Sequence, residues 1–407
     1  MPALSAFSAY GGAFPTTASL AGALAAQSCK APHTGKPYSE DLLMGIAGGA
    51  AFGYFSFAYK GHDPQANILT RNTFGNYGWD AAVERLGISQ DVMNSTSPAK
   101  AEQKLVETLE SGGVPIVWVD VFSLGYESSD LGEGMWLTMP VVVTKYENHT
   151  VTLSDRSGAP IEVPQEVFRA ARAKIKKLKF RLVTVDAPED PDLAAALSSG
   201  VQDSIELYNG NPPQGSGKNW GGGGIDLWRE RLIKRGAKES WEKLFPPGRP
   251  FFCGLTSAYR YALQFWEDDT RSADRLMYAR FLREASTITG ESGFEAVAQE
   301  FEKSARSWQQ LATALLPDRI EILAKARGAL EERDTLFRAS GSKKLDQLRI
   351  IDERLDGLKD EAEGSLADPD ACSALREEIA SHLEGIREQE TAAVKLLTEA
   401  LASAGSG

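Results

Sequence analysis

Along residues 1–187, apolar positions gather in short runs rich in Val, Ile and aromatic residues, with turn residues between them. PIVWVDVF (115–122), MPVVVTKY (139–146), HTVTLSD (149–155) and KFRLVTV (179–185) therefore read as strands. Tyr146, Glu147, Asn148 and His149 join the second and third in hairpin fashion. Other stretches carry helical spacing. SPAKAEQKLVETLESGG has Thr96 or Ser97 as N-cap and Gly112 as stop, and PQEVFRAARAKIKK is a second helix. PTTASLAGALAAQ is a third, with Pro15 in its first turn. The pattern predicts an α+β domain with a small antiparallel sheet over 1–187.

Beyond this the pattern changes. VDAPEDPDLAAAL reads as a solvated linker, and NPPQGSGKNWGGGG as a loop. From Ile225 large apolar residues recur at three and four spacings, as with Phe294, Val297 and Phe301, which predicts an all-α domain over 188–317. Residues 318–401 are charged and carry roughly heptad spacing, broken at GSLADPDAC. They read as long antiparallel helices, a hairpin or coiled-coil-like extension, packed on the second zone or on a second subunit as a homodimer.

Composition narrows the functional classes. A formal net charge of −12 argues against a nucleic-acid partner. No apolar run is long enough to span a membrane. ASLAGALAAQSC lacks the basic start of a secretory signal, because no Lys or Arg precedes Lys30, so a cytoplasmic setting is expected. Cys29, Cys253 and Cys372, and His33, His62, His149 and His382, are too scattered for a disulfide framework or a metal site. No cofactor is expected either. MGIAGGAAFGYF (44–55) and GSGKNWGGGG (215–224) lack the phosphate-loop spacings, and glycines between apolar residues predict close backbone packing.

The candidate chemistry lies in the first domain. Cys29 and His33 are four apart, but Pro32 intervenes, so the pair straddles a helix end. There the helix dipole disfavours a thiolate, and Cys29 reads as a structural thiol. Asp120 and Asp155 end strands, a common position for site residues and for turn caps alike. Glu40 fits the third position of a helix start. RAARAKIKKLKFR (169–181) is either a solvated helix face or a dock for an acidic partner such as an acyl carrier protein or a coenzyme phosphate.

APHTGKPYSEDLLMGIAGGAAFGYF, RLGI, GGVPIVWVD, the VVV strand, SDRSGAPIEVPQEVFRAARAKIKKLKFRLV and RLMYARFLREAS with SWQQLATALL occur in an order that resembles the butirosin biosynthesis protein H family, to about residue 316. The resemblance implies a papain-like fold of the cysteine-peptidase and acyltransferase kind in the first domain. It also implies acyl or amide transfer in small-molecule or peptide natural-product biosynthesis, from an acyl carrier protein to an amine. The family's nucleophilic cysteine belongs at the start of the first helix, which reads Phe14-Pro15-Thr16-Thr17 here. Its histidine belongs where MWLTMPVVV opens the strand, and the acid after the next strand is retained as Asp155.

Two expectations follow. One is a non-covalent or altered transferase using Thr17, Asp120, Asp155 or His33 around a polar pocket. The other is a pseudoenzyme, a binding or scaffold protein whose pocket is filled by side chains such as Met135, Trp136 or Met139.

Overall fold

A computed structural model describes residues 3–4, 7–69, 77–127, 136–147, 149–213, 215–263 and 270–405. In chain order the elements are α1 (Pro15–Ala26), α2 (Glu40–Ile46), β1 (Gly53–Phe57), β2 (Gln65–Leu69), α3 (Tyr77–Arg85), β3 (Gln90–Met93) and α4 (Pro98–Glu110). Then come β4 (Ile116–Asp120), β5 (Thr138–Glu147), β6 (Thr150–Ser154), β7 (Ile161–Pro164), α5 (Gln165–Lys174) and β8 (Leu182–Val185). The remainder is helical: α6 (Leu193–Tyr208), α7 (Gly221–Ile233), α8 (Trp241–Leu244), α9 (Arg249–Leu263), α10 (Arg275–Thr289), α11 (Gly293–Leu315), α12 (Glu321–Ser340), α13 (Leu345–Ser365) and α14 (Pro369–Ala404). The fold class is the α+β one expected, with a small antiparallel sheet followed by long helices.

These elements form two compact units, each discontinuous in sequence. One takes 1–43, 83–191 and 333–350; the other takes 44–82, 192–332 and 351–407. Consecutive zones divided at 187 and 317 do not coincide with them, because 44–82 joins the helical unit and the α12–α13 turn joins the sheet unit.

The sheet unit is built on six antiparallel strands in the order β3-β8-β4-β5-β6-β7. Every position of β4 is buried, so both its faces are covered. α1 packs on β5, and α5 packs on β4. The expected hairpin joins β5 to β6, with Glu147 opposite Thr150, while Asn148 itself lies outside the described residues. Residues 333–350 are tied to the sheet's far edge: Arg338 O accepts from Gly158 N at 2.8 Å, and Ser342 Oγ accepts from Glu162 N at 2.7 Å.

In the helical unit the glycine-rich run behaves as a packing device. A Cβ on Gly45 would lie 2.1 Å from the Phe281 ring, and one on Gly200 would lie 2.1 Å from the Gly45 carbonyl oxygen. GGGG (221–224) differs from the expected loop. It forms the first turn of α7, and Gly221 (φ +55°) sits where a Cβ would meet the α6 backbone at 2.4 Å. Loop-like composition here serves close helix packing. The aromatic side chains are core: Tyr54 stacks on Trp228 with centroids 5.7 Å apart, and Trp241 Nε1 donates to Tyr54 Oη at 2.9 Å. The α14 positions that suggested a partner helix, among them Leu375, Ile379, Leu383 and Ile386, are buried, and α14 packs on α11, α7 and α6. The break before α14 is also where it was expected, with Asp368 capping and Pro369 at the first position. Residues 264–269, within the stretch expected to be helical from Ile225 onward, lie outside the described residues.

Candidate functional site

The start of α1 is the place to look for a nucleophile, because unpaired N–H groups and the helix dipole favour negative charge there. Here the N-cap residue, Phe14, has no side chain able to accept a hydrogen bond, and Pro15 occupies the first turn. The missing acceptor comes from another segment. Glu40, at the first position of α2, accepts from Ala13 N at 2.9 Å, Phe14 N at 2.7 Å and Thr17 Oγ1 at 2.9 Å. Thr17 is buried, and its hydroxyl also lies 3.3 Å from the Phe14 carbonyl oxygen. Gly12 lets the loop pass this close, since a Cβ there would fall 2.3 Å from Ala18 Cβ at a φ of +138°.

Glu40 as a whole is only partly covered, but these three donors enclose its carboxyl end. Burial pushes the carboxyl above its ordinary value, against the opposing pull of the N–H groups and the Thr17 hydroxyl. A raised carboxyl binds more protons in the folded than in the unfolded chain. Its contribution to stability therefore falls as pH rises past the ordinary value of 4.5. Glu40→Gln, which does not titrate, should gain on the wild type as pH is raised from 4.5, read as the difference in urea midpoints across a pH series.

Asp120 and Asp155 are both used up by the fold. Asp120 is fully buried and accepts from Leu137 N at 2.8 Å and Ser123 Oγ at 2.6 Å, with Lys174 Nζ 2.6 Å from the same carboxylate. Asp155 is buried in an ion cluster. Its Oδ2 accepts from Tyr126 Oη at 3.1 Å, and its Oδ1 lies 3.5 Å from Arg156 Nε. Arg156 in turn donates to Glu127 at 2.7 Å, and Arg333 approaches the other Glu127 oxygen at 3.4 Å. Tyr126, Glu127 and Arg333 were not singled out in the sequence, and Arg333 lies more than 200 positions from Glu127. None of these contacts joins Asp155 or Asp120 to Thr17.

His33 sits in a tight turn where Ala31 O accepts from Thr34 N and Gly35 N, and Ala31 N donates to Lys36 O. The PHTG turn thus organises backbone. Cys29 lies just past the C-terminal end of α1, where its N–H donates to Leu24 O at 3.0 Å. Burial lifts its thiol above the ordinary value of 9.0, only partly offset by the Lys30 backbone. Alkylation of Cys29 by iodoacetamide, followed by intact mass, should therefore be slower at pH 7.5 than that of a free thiol and should accelerate above pH 9.

Where the resemblance implies a histidine, β5 carries Thr138, Met139 and Pro140. Met139 is buried, whereas Trp136 is half exposed, and Met135 lies outside the described residues. α1 reaches this strand through Ser19 Oγ, 3.4 Å from the Pro140 carbonyl oxygen. α1 and β5 are thus adjacent, but neither brings a thiol or an imidazole.

The basic stretch 169–181 is largely engaged inside the unit. Arg169 pairs with Glu102, Arg172 is buried and donates to Phe180 O at 2.8 Å, Lys174 holds Asp120, and Arg181 lies over the Trp118 ring. Lys176, Lys177 and Lys179 remain exposed.

Residues 21–156 match the family model described as butirosin biosynthesis protein H, N-terminal. That segment is similar to the butirosin H N-terminal family. No curated protein matches the chain. The matched butirosin-H-like segment contains Glu40, β4, β5 and Asp155, but starts six residues after Pro15, so the start of α1 lies just upstream of it. Among the described residues no group of three or more His, Cys, Asp or Glu could hold a metal ion, and no helix is long and apolar enough to cross a membrane.

Proposed function

We propose that the chain serves natural-product biosynthesis as a butirosin-H-like binding protein that does not form an acyl-enzyme. The match over 21–156 supports the biosynthetic class. The absence of covalent chemistry rests on one observation: the Glu40 carboxyl occupies the start of α1. Acyl transfer needs free donors for a developing oxyanion and a nucleophile open to substrate. Here Ala13 N and Phe14 N already donate to Glu40, and the Thr17 hydroxyl is buried against it.

The same contact favours a second reading, acyl or amide transfer by an altered mechanism. A hydroxyl donating to a carboxylate at 2.9 Å has the geometry of a nucleophile with its general base. In that reading Thr17 attacks a thioester, Glu40 takes its proton, the thiol leaves, and an amine then receives the acyl group. Incubation with an acyl N-acetylcysteamine thioester and a primary amine separates the two. The binding reading expects thiol release at the blank rate and no gain in protein mass. Release that Thr17→Ala and Glu40→Gln both abolish would overturn it.

An acyl carrier protein is the proposed partner, docked by charge at Lys176, Lys177 and Lys179. Replacing all three with Glu should weaken carrier binding by about tenfold, in a calorimetric titration at low salt. An unchanged affinity would remove this surface from the proposal.

A further inference from the structure

We infer that the cavity between α4 and the face of the β3–β8 pair binds a small carboxylic acid with an apolar tail. Met93 of β3 lies opposite Leu182 of β8, and residues directly opposite in an antiparallel pair share one face of the sheet. On the other side stands α4, where Lys100, Lys104 and Glu107 recur at four- and three-residue spacings and so share one side of the helix. The space these residues line measures 530 Å³, within the range of about 300–1,000 Å³ typical of small-ligand pockets. Its apolar wall includes Met93, Ala101, Phe180 and Leu182.

Phe180 is kept in that wall at a conformational cost. Lys179 and Phe180 both take left-handed backbone conformations, at φ +47° and +50°, which are unfavourable for residues with a side chain and most of all for a bulky one. The turn is held from two sides. Lys179 O accepts from Ser95 N at 2.7 Å, and Phe180 O accepts from Nη2 of the buried Arg172 at 2.8 Å. Strain that the surrounding structure holds in place clusters at ligand-binding sites. Phe180 is only half-buried, so part of its ring is left for a ligand to cover.

Charge selects the head of that ligand. The chain has a formal net charge of −12, yet this lining sets two lysines, Lys100 and Lys104, against one glutamate, Glu107. Lys104 is bridged to Glu107 at 2.9 Å, which leaves Lys100 to meet an anion. Glu107 also accepts from Gln103 Nε2 at 2.8 Å, so an ammonium head would find its only carboxylate in this lining already engaged. The adjoining 580 Å³ cavity carries Asp91 and Asp186, which repel an anion. A carboxylate is thereby turned toward Lys100, while its tail covers Met93, Leu182 and Phe180.

The inference does not rest on either reading of Glu40, nor on carrier docking at Lys176, Lys177 and Lys179, none of which the test alters. The test is a calorimetric titration of the full chain with sodium octanoate at neutral pH. Saturable one-to-one binding is expected. Octylamine, with the wrong charge, and acetate, without the tail, should each bind at least about tenfold more weakly. Lys100→Glu, a change at an exposed position, should weaken octanoate at least about tenfold. Phe180→Gly should do the same, because glycine accepts the left-handed backbone and only the ring is lost. Failure of octanoate to bind, equal binding by octylamine or acetate, or wild-type affinity in either variant would each overturn the proposal. The thioester assay and this titration can fail separately.

Discussion

Replacing Glu127 with alanine should destabilise the sheet unit by about 3–5 kcal/mol, measured as the loss of unfolding free energy in urea. Both Glu127 oxygens face a guanidinium, Arg156 at 2.7 Å and Arg333 at 3.4 Å, and all three side chains are buried. Burial alone would lower the Arg156 pKa, but Asp155 and Glu127 together hold it above its ordinary value. Without Glu127 both enclosed cations would lose a carboxylate oxygen, leaving Asp155 3.5 Å from Arg156 and the Tyr126 carbonyl oxygen 3.0 Å from Arg333. Solvation lost on folding would then go uncompensated, which is why breaking such a cluster costs more than it gains when intact. Glu127→Gln keeps the shape and one acceptor and should fall between the wild type and alanine. Asp155→Asn should lower stability for the same reason, and under the binding reading it should leave thioester turnover at the blank rate. A stability loss for Glu127→Ala below about 1 kcal/mol would mean the cluster is far better hydrated than its burial implies.

The legible parts of the fold are those whose signal is local. PIVWVDVF became β4 and MPVVVTKY became β5, because unbroken β-branched runs have little alternative once both faces are covered. KFRLVTV was shortened to β8, since Lys179 and Phe180 take left-handed conformations at φ +47° and +50°. β3, β7 and the β1–β2 hairpin carry short or glycine-flanked sequences, and only their partners make them strands. α6 follows directly on the linker, capped by Asp192 accepting from Ala195 N at 2.9 Å. Gly200 within it is a weak helix former, and its close approach to Gly45 shows only with that neighbour in view.

At the site the same division holds. Pro15 marked the start of α1 and Cys29 its far end, both local facts. That Glu40 would cap α1 from 23 positions away depends on how two helices meet, which no spacing rule encodes. Asp120 and Asp155 were legible as acids at strand ends. Their engagement depends on Lys174, Tyr126 and Arg156, which the fold brings to them.

Glu390→Ala should be about as costly to the helical unit, again about 3–5 kcal/mol. The carboxylate is buried on α14 and accepts from Arg275 Nε at 2.7 Å and Nη2 at 3.0 Å, Ser304 Oγ at 2.7 Å and Trp308 Nε1 at 2.8 Å. It thereby ties α14 to α10 and α11, and its removal leaves a buried guanidinium over the Trp308 ring. Burial would raise its pKa, but Arg275 and the other donors hold it below the ordinary value of 4.5. The unfolded chain then binds more protons, so this stabilisation is complete above 4.5 and is lost as pH falls through the depressed folded value. The helical unit of the wild type should weaken on acidification in that window, while Glu390→Gln should lose stability at neutral pH and stay comparatively flat below 4.5. Glu40 should do the reverse, gaining as pH falls. Hydrogen exchange resolved by segment across a pH series can separate the two, because the carboxyls report from different units. If α14 instead kept its protection in Glu390→Ala, its apolar face alone would hold it to α11 and α7, and the ion pair would add only specificity of register.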